Sequence, residues 1–457
     1  MNSEHTMISY QQQQTFQIAK NVSVKVNIEK NPYNLPLEQF FDMALRNNKK
    51  RAFLFVSKWL GKHIPIPPQR SLFAGALLAY EYIKQFTKDQ PSKSMNDRVQ
   101  ACIAAPEAFK SEEWIFHTEL PITFIGFAET ATALGHSMFR CFPNAQFFHT
   151  TREKIDGLKT SITFEEEHSH ATSHRCYVDT SFLDNNHEVV LVDDELTTGK
   201  TVRNIIRSMQ AEFPRKKYTV VSILDWRSEE DQNRFCELER ECGCKIHVVS
   251  LVKGTMSLEQ EGELLLEPGD FNPSKQANKV EVFWHQLAED DLPPFQIVDH
   301  YSMSLNGDRY EIPFLRETGR FGLYGADTPN VEEWIEKIAE KLKRKRSGQK
   351  LLCLGSGEFM FLPMLLASHM GEGVSYHSTT RSPIHVWDKE GYGAQSGFTF
   401  PAPIDGDVQH FVYNIAEGMY DEIWVFYERK PKKSHIAQMC KQLSMTGIRR
   451  IGIHYFL

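Results

Sequence analysis

The segment Val189-Val-Leu-Val-Asp-Asp-Glu-Leu-Thr-Thr-Gly-Lys-Thr201 limits what this chain can fold into more than any other stretch. Val189 to Val192 are apolar β-formers and read as a strand buried on both faces, the kind found in parallel sheets covered by helices. Asp193 and Asp194 emerge at its end, a hydroxyl- and glycine-rich loop follows, and Val202-Arg-Asn-Ile-Ile-Arg-Ser-Met209 opens a helix. Such a turn offers backbone N–H groups and the positive end of a helix dipole to a phosphate. Thr197, Thr198 and Thr201 add hydroxyl donors around Lys200, and Gly199 lets the backbone close on the anion. A phosphate does not account for Asp193 and Asp194, whose carboxylates repel it. Adjacent carboxylates beside a phosphate cradle suit a sugar phosphate instead: they accept hydrogen bonds from vicinal ribose hydroxyls and favour a nearby cation. The segment therefore reads as a site for a 5-phosphoribosyl group. Gly199-Lys200-Thr201 looks like the end of a Walker A loop, but that motif needs glycine at position 194, which is aspartate here.

A chain of 457 residues has room for two or three domains with ample core. Its net charge of −7 argues against nucleic acid as a bulk electrostatic partner. No apolar run reaches the length of a membrane span, and the polar start Met1-Asn-Ser-Glu-His is no signal peptide. Eight cysteines in a chain this long do not make a disulfide framework, so a reducing cytoplasm is expected. Cys236, Cys242 and Cys244 with His247 fit no common zinc spacing, and free thiols are the better reading.

From about Ile122 strands and helices alternate: strands at 122–125, 145–149, 188–192, 218–224 and 245–251, with helices at 130–139, after Thr201, and near 229–241. That alternation predicts an α/β fold with a doubly wound parallel sheet. Residues 1–34 read as a polar arm or edge strand, 35–258 as the first domain, 259–297 as a linker region and 298–457 as a second α/β domain. Within the first domain, helical patterning is expected over 35–60 and again from Ser71 to about Phe86. In the second, 331–346 reads as an amphipathic helix with a solvated basic end.

Three further segments supply candidates for the first site. Gly126-Phe-Ala-Glu-Thr130 follows a strand and enters a helix, another anion-ready turn. Its Glu129 is either a magnesium-side carboxylate or a plain helix-start acid. His149-Thr-Thr-Arg-Glu-Lys154 ends a strand in a basic loop, where Arg152 can pair with a diphosphate and Lys154 adds a point charge. Between this loop and the acidic pair, Glu165-Glu-Glu-His-Ser-His170 reads as a lid, with His168 and His170 as its polar candidates. Upstream, Lys58, Lys62 and His63 lie in a segment that is either a hood over the acceptor or a packed element with exposed lysines.

The C-terminal half echoes the first in outline. Glu129 to Arg152 and Glu358 to Arg381 both span 23 residues. Phe164 precedes His174 by ten residues, as Phe400 precedes His410. Asp421-Glu-Ile-Trp-Val-Phe-Tyr-Glu428 stands where His187-Glu-Val-Val-Leu-Val-Asp-Asp194 stands in the first half, without the cradle. The echo suggests a degenerate second copy serving as a built-in pseudo-dimer partner, with chance similarity between two α/β units as the alternative. The partner copy is then either this internal one or a second chain in a homodimer. Arg381 either pairs with Glu358 or, alongside Ser378, Thr379, Thr380 and Ser382, forms a second anion site.

Val189–Thr201 resembles the phosphoribosyl-pyrophosphate (PRPP) signature of type I phosphoribosyltransferases, and Thr380-Arg-Ser-Pro383 matches the motif that names the TRSP domain. The chain is similar over most of residues 35–430 to a family, encoded beside tellurium-resistance genes, that joins these two domains. Glu195, where many members carry an apolar residue, is a mild departure. The resemblance implies a bacterial cytoplasmic transferase. In it Asp193 and Asp194 hold the ribose hydroxyls, Thr197, Thr198, Gly199, Lys200 and Thr201 hold the 5-phosphate, and the Gly126, Phe127, Ala128, Glu129 and Thr130 loop grips pyrophosphate. It implies Mg2+ held mostly indirectly by Glu129, Asp193 and Asp194, and PRPP plus an unidentified small-molecule acceptor as partners. The expected reaction moves 5-phosphoribosyl to a nitrogen acceptor with release of pyrophosphate. The alternatives are a PRPP-sensing or assembly protein without catalysis, and a phosphorolytic enzyme running the reverse logic.

Overall fold

In the computed structural model, which describes residues 13–46, 53–86, 93–165, 173–265, 279–287, 295–404, 406 and 408–457, the alternating strands form one parallel sheet. Their spatial order is Ala145–His149, Ile122–Gly126, Glu188–Leu196, Lys217–Asp225, Lys245–Gln260, and all these neighbours run parallel. Numbered along the chain the order is 2-1-3-4-5, so it reverses between Ile122–Gly126 and Glu188–Leu196. The crevice outside the carboxyl ends of strands at such a reversal is where open α/β sheets bind ligands. Val189 to Val192 are almost wholly inaccessible, as their unbroken apolar run requires. Helix Lys200–Glu212 buries Val202, Ile205, Ile206 and Met209, a stripe at helical spacing, and packs on Glu229–Cys242. Pro68–Phe86 and Ala131–Phe139 pack on each other and on the sheet.

The sheet extends beyond the expected first domain. Lys245–Gln260 runs past Leu251 and pairs antiparallel with Val22–Lys30, which pairs in turn with Gln13–Ala19. From Gln13 onward the N-terminal segment is thus an edge hairpin, fixed by the inward Ile18, Val22, Val24 and Val26. At the opposite edge Leu323–Tyr324 from the C-terminal half joins Ala145–His149.

The helical patterning expected over 35–60 is not what forms. The segment instead makes a short 3-10 turn, Leu37–Gln39, and the antiparallel strands Phe41–Leu45 and Phe53–Ser57. Phe41, Met43, Leu45, Phe53 and Phe55 enter the main core. Ala44, Leu54 and Val56 pack with Ile384, Tyr392, Ala394 and Tyr413 of the C-terminal half. Burial on both faces removes the alternation by which a strand is recognised.

The second unit is a parallel sheet ordered Glu281–Gln286, Arg450–Tyr455, Glu422–Tyr427, Leu351–Gly355, Val374–Ser378. Its last four strands repeat the 2-1-3-4 order of the first sheet. The remaining place is filled by Glu281–Gln286, so the expected linker supplies an edge strand. The echo reaches single hydrogen bonds. Thr150 N donates to Gly126 O (2.9 Å) and Thr379 N to Gly355 O (3.0 Å). Ala128 N meets Thr150 Oγ1 at 2.9 Å and Gly357 N meets Thr379 Oγ1 at 3.0 Å. Each hydroxyl contacts a histidine Nδ1, His174 at 2.8 Å and His410 at 3.0 Å. Phe164 faces His174, and Phe400 faces His410, across matching antiparallel hairpins. Shared strand order and shared turn chemistry carry the reading of the C-terminal unit as a degenerate copy. The eight cysteines are free thiols.

Candidate active site

Strand Glu188–Leu196 makes its last pair with Ile122–Gly126 at Val192↔Gly126, while its other side stays paired to Leu196↔Asp225. Asp193, Asp194 and Glu195 therefore project past the shorter neighbour, beside the crevice at the strand-order reversal, and all are partly exposed. Asp194 N donates to Asp193 Oδ1 at 3.0 Å. Burial, then the charges of Asp194 and Glu195, push the Asp193 carboxyl well above the usual carboxylate range. Carboxylates crowded in this way are relieved by hydroxyl donors or a cation, and their oxygens are the hard ligands magnesium takes. Among the described residues no group of three or more His, Cys, Asp or Glu converges as a metal site.

Thr197 to Gly199 connect this strand to helix Lys200–Glu212. Gly199 has φ +63°, the left-handed region, and a Cβ there would lie 2.5 Å from the Phe235 ring. Gly199 at the N-cap supplies no side-chain bond, and the helix has no acidic residue in its first turn. Helix Glu229–Cys242, by contrast, is capped by Ser228 and opens with three acids. Lys200 N donates to Thr198 Oγ1 at 3.3 Å, and the positive end of the helix dipole at this turn suits an anion. Phe235 carries the Arg227 guanidinium 4.4 Å from its centroid, and Arg227 pairs with buried Asp225 at 2.8 Å. These supports under the loop escape sequence reading, because only strand pairing brings Asp225 beside Leu196. Gly199→Ala is expected to destabilise the fold by about 2–3 kcal/mol through left-handed strain and the Phe235 overlap. Denaturant unfolding measures this, and an unchanged midpoint contradicts it.

The Gly126–Thr130 loop does not present itself as expected. Phe127 N donates to Val192 O (3.2 Å) and Ala128 N to Thr150 Oγ1 (2.9 Å), so two of its amides are already engaged. Phe127, Ala128 and Glu129 are buried, and the Ala128–Glu129 peptide is cis. The Glu129 carboxylate is held by Lys62 Nζ, which also donates to Thr379 O at 2.9 Å. Burial alone would raise the Glu129 pKa, but Lys62, then Arg152, Arg381 and His410, outweigh it and hold it at about 2. Glu129, expected as a magnesium-side carboxylate, is thus paired with an internal cation. Of the other hood candidates, Lys58 pairs with Asp42 at 2.8 Å and His63 is buried beside Tyr413.

Glu358, from the C-terminal copy, reaches into the Arg152 turn. It accepts from Thr151 Oγ1 at 2.6 Å and from Arg152 N at 2.8 Å. Arg381 is therefore not its partner; Arg320 Nη2, at 3.6 Å, is. Arg320 also pairs with Glu428 (3.1 Å), whose carboxylate accepts Leu315 N at 2.9 Å. Glu428 occupies the position of Asp194, so in the second copy the place of the acidic pair is filled by the chain itself. Arg381 and Ser382 are partly exposed, Thr379 and Thr380 are buried, and Thr380 Oγ1 accepts Ser382 N at 3.1 Å. Lys154 is exposed in a two-residue strand, Lys154–Ile155, paired with Ser302–Met303. His168 and His170 lie outside the described residues.

Residues 40–255 match a family described as phosphoribosyl transferase, and residues 317–443 match the TRSP domain found C-terminal to it. The chain carries a phosphoribosyl transferase domain followed by a TRSP domain. Among solved structures it is similar to adenine phosphoribosyltransferase from Trypanosoma brucei, determined with AMP, pyrophosphate and ribose-5-phosphate. That match has 18% identity over 34% of this chain and 66% of that one, with a TM-score of 0.24. Adenine phosphoribosyltransferase from Rhodothermus marinus gives 14% identity over 29% and 70%, at 0.22. The Giardia lamblia enzyme gives 15% over 33% and 83%, at 0.22. No curated protein matches significantly. The strand order and the family matches identify the fold; these structural scores add nothing to it. Among the described residues no helix of this phosphoribosyl transferase–TRSP chain is long and apolar enough to cross a membrane.

Proposed function

We propose that the phosphoribosyl transferase domain takes PRPP and moves its 5-phosphoribosyl group to a nitrogen acceptor of the nucleobase or small-amine class. The observation that carries this reading is the pairing of Asp193 and Asp194 with the glycine-turned 197–201 helix start at the reversal of strand order. Asp193 and Asp194 accept from the ribose 2- and 3-hydroxyls, and the amides and hydroxyls of Thr197 to Thr201 anchor the 5-phosphate. The acceptor nitrogen attacks C1 as the C1–O bond breaks. The electron pair leaves with pyrophosphate, and the acceptor proton passes to solvent. Magnesium, when bound, neutralises the diphosphate beside the carboxylates. Fixed donors and charges aligned before the reaction supply the rate enhancement. A bacterial cytoplasmic setting and a link to tellurium resistance follow only from the family resemblance.

A second reading has an observation of its own. Engaged amides in the Gly126 loop and the Lys62–Glu129 pair favour a protein that holds a 5-phosphoribosyl ligand as a signal, without turnover. Calorimetric titration of PRPP with magnesium, followed by pyrophosphate-release assays over nucleobases and amines, separates the two. Release that depends on an acceptor supports transfer. Binding without release for every acceptor supports sensing. No binding by the folded chain sinks the site reading altogether.

A further inference from the structure

Thr151 and Arg152 form the strand-end turn across the reversal from Asp193, on the side where a diphosphate on ribose C1 would extend. A hydroxyl and a backbone N–H at such a turn are anion donors, and carboxylate and phosphate oxygens are interchangeable acceptors for them. In this chain both donors are taken by the two oxygens of one carboxylate, Glu358 of the TRSP domain, at 2.6 and 2.8 Å. The Glu358 side chain is 6% exposed, and Arg320 Nη2 already lies 3.6 Å from it, so displacing the carboxylate from the turn does not leave it without a cation. The matching glutamate of the first loop, Glu129, is already matched by Lys62. Both copies thus carry a carboxylate at this turn, each matched by a cation of the chain itself.

We infer that Glu358 is a built-in occupant of the pyrophosphate half of the site and a specificity determinant: it makes the chain discriminate against diphosphate while leaving the 5-phosphoribosyl end open. This rests on reading the 193–201 segment as the sugar-phosphate site. A tethered carboxylate competes with free pyrophosphate at every moment, both by occupying the donors and by repelling the anion. For a transferase the consequence is loose holding of the leaving group and its ready release.

The test is titration of inorganic pyrophosphate with magnesium, and separately of ribose 5-phosphate, into the full chain and its Glu358→Ala and Glu358→Gln variants. Pyrophosphate affinity is expected to rise at least ~10-fold in Glu358→Ala and several-fold in Glu358→Gln, which loses the charge but keeps one acceptor. Ribose 5-phosphate affinity is expected to stay within about twofold, because the 197–201 cradle is untouched. If Glu358→Ala does not fold, the isosteric Glu358→Gln decides alone. Unchanged or weakened pyrophosphate binding in a folded variant overturns the inference. A pyrophosphate gain with no ribose 5-phosphate binding by any form upholds Glu358 as the occupant and sinks the sugar-phosphate reading instead.

Discussion

Lys62→Met is expected to destabilise the chain by about 3–5 kcal/mol, because it removes the partner of a buried carboxylate. Lys62 is 1% exposed, and its ammonium serves Glu129, Thr379 O and Gly357 O together. Methionine fills the stem volume and supplies none of these bonds, so Glu129 and two carbonyls lose their donor. Lys62→Met combined with Glu129→Gln is expected to recover most of the loss, since the uncompensated charge, rather than lost packing, dominates the cost. The sign with pH follows from Glu129, whose native pKa is held at about 2. A depressed carboxylate contributes stability that is present above its unfolded pKa and lost as pH falls through the folded value. In the single variant the largest charge holding the Glu129 pKa down is gone, so that pKa rises from its native value and acid relieves the orphaned charge. Urea midpoints of wild type and variant should therefore converge from neutral pH toward pH ~4. A gap that stays constant with pH would show that the cost lies in packing.

Asp193→Asn combined with Asp194→Asn is expected to weaken PRPP or ribose 5-phosphate binding by about 3–5 kcal/mol, roughly a few hundred- to a few thousand-fold. Each carboxylate offers a charge-assisted acceptor to a ribose hydroxyl, and the amide that replaces it is a poorer acceptor with a misplaced donor. The apo protein should move the other way. The Asp193 pKa is raised by burial and by Asp194. Ionisation therefore weighs on the fold above the raised native value and is relieved as pH falls through it. Asp193→Asn alone removes that burden and is expected to stabilise the unliganded chain by about 0.5–2 kcal/mol at neutral pH. Calorimetry reads the binding loss and denaturant unfolding the gain. Retained affinity in the double variant would end the acidic pair's assignment to the ribose hydroxyls, and a less stable Asp193→Asn would show that the carboxylate is structurally required.

The legible parts of this chain are local ones. Val189 through Met209 contains its own strand, acidic pair, left-handed glycine and amphipathic helix, and each is stated by neighbouring residues. The strand series from Ile122 to Leu251 likewise declares its type by apolar runs and spacing. Hidden parts depend on distant partners. Phe41–Leu45 and Phe53–Ser57 resemble a helix in sequence because the two copies of the fold sandwich them and both faces are apolar. Glu129 reads as a metal-side acid until Lys62, 67 residues upstream, is brought against it. The 23-residue spacing of Glu358 and Arg381 pointed to a repeated site and to a pair, but Glu358 crosses to the Arg152 turn, 206 residues away.

The sequence by itself determined the parallel α/β layering, the strand–turn–helix around Gly199 and the repeated outline of the second half, because hydrophobic period, turn glycines and repeated spacing act over one strand or one turn. Tertiary structure alone decided which charges meet. The charges of Lys62, Glu129, Arg320, Glu358 and Glu428 are balanced only where the two copies meet. A buried charge takes whichever opposite charge the packing brings within a few ångströms, and nothing in the spacing along the chain specifies that choice.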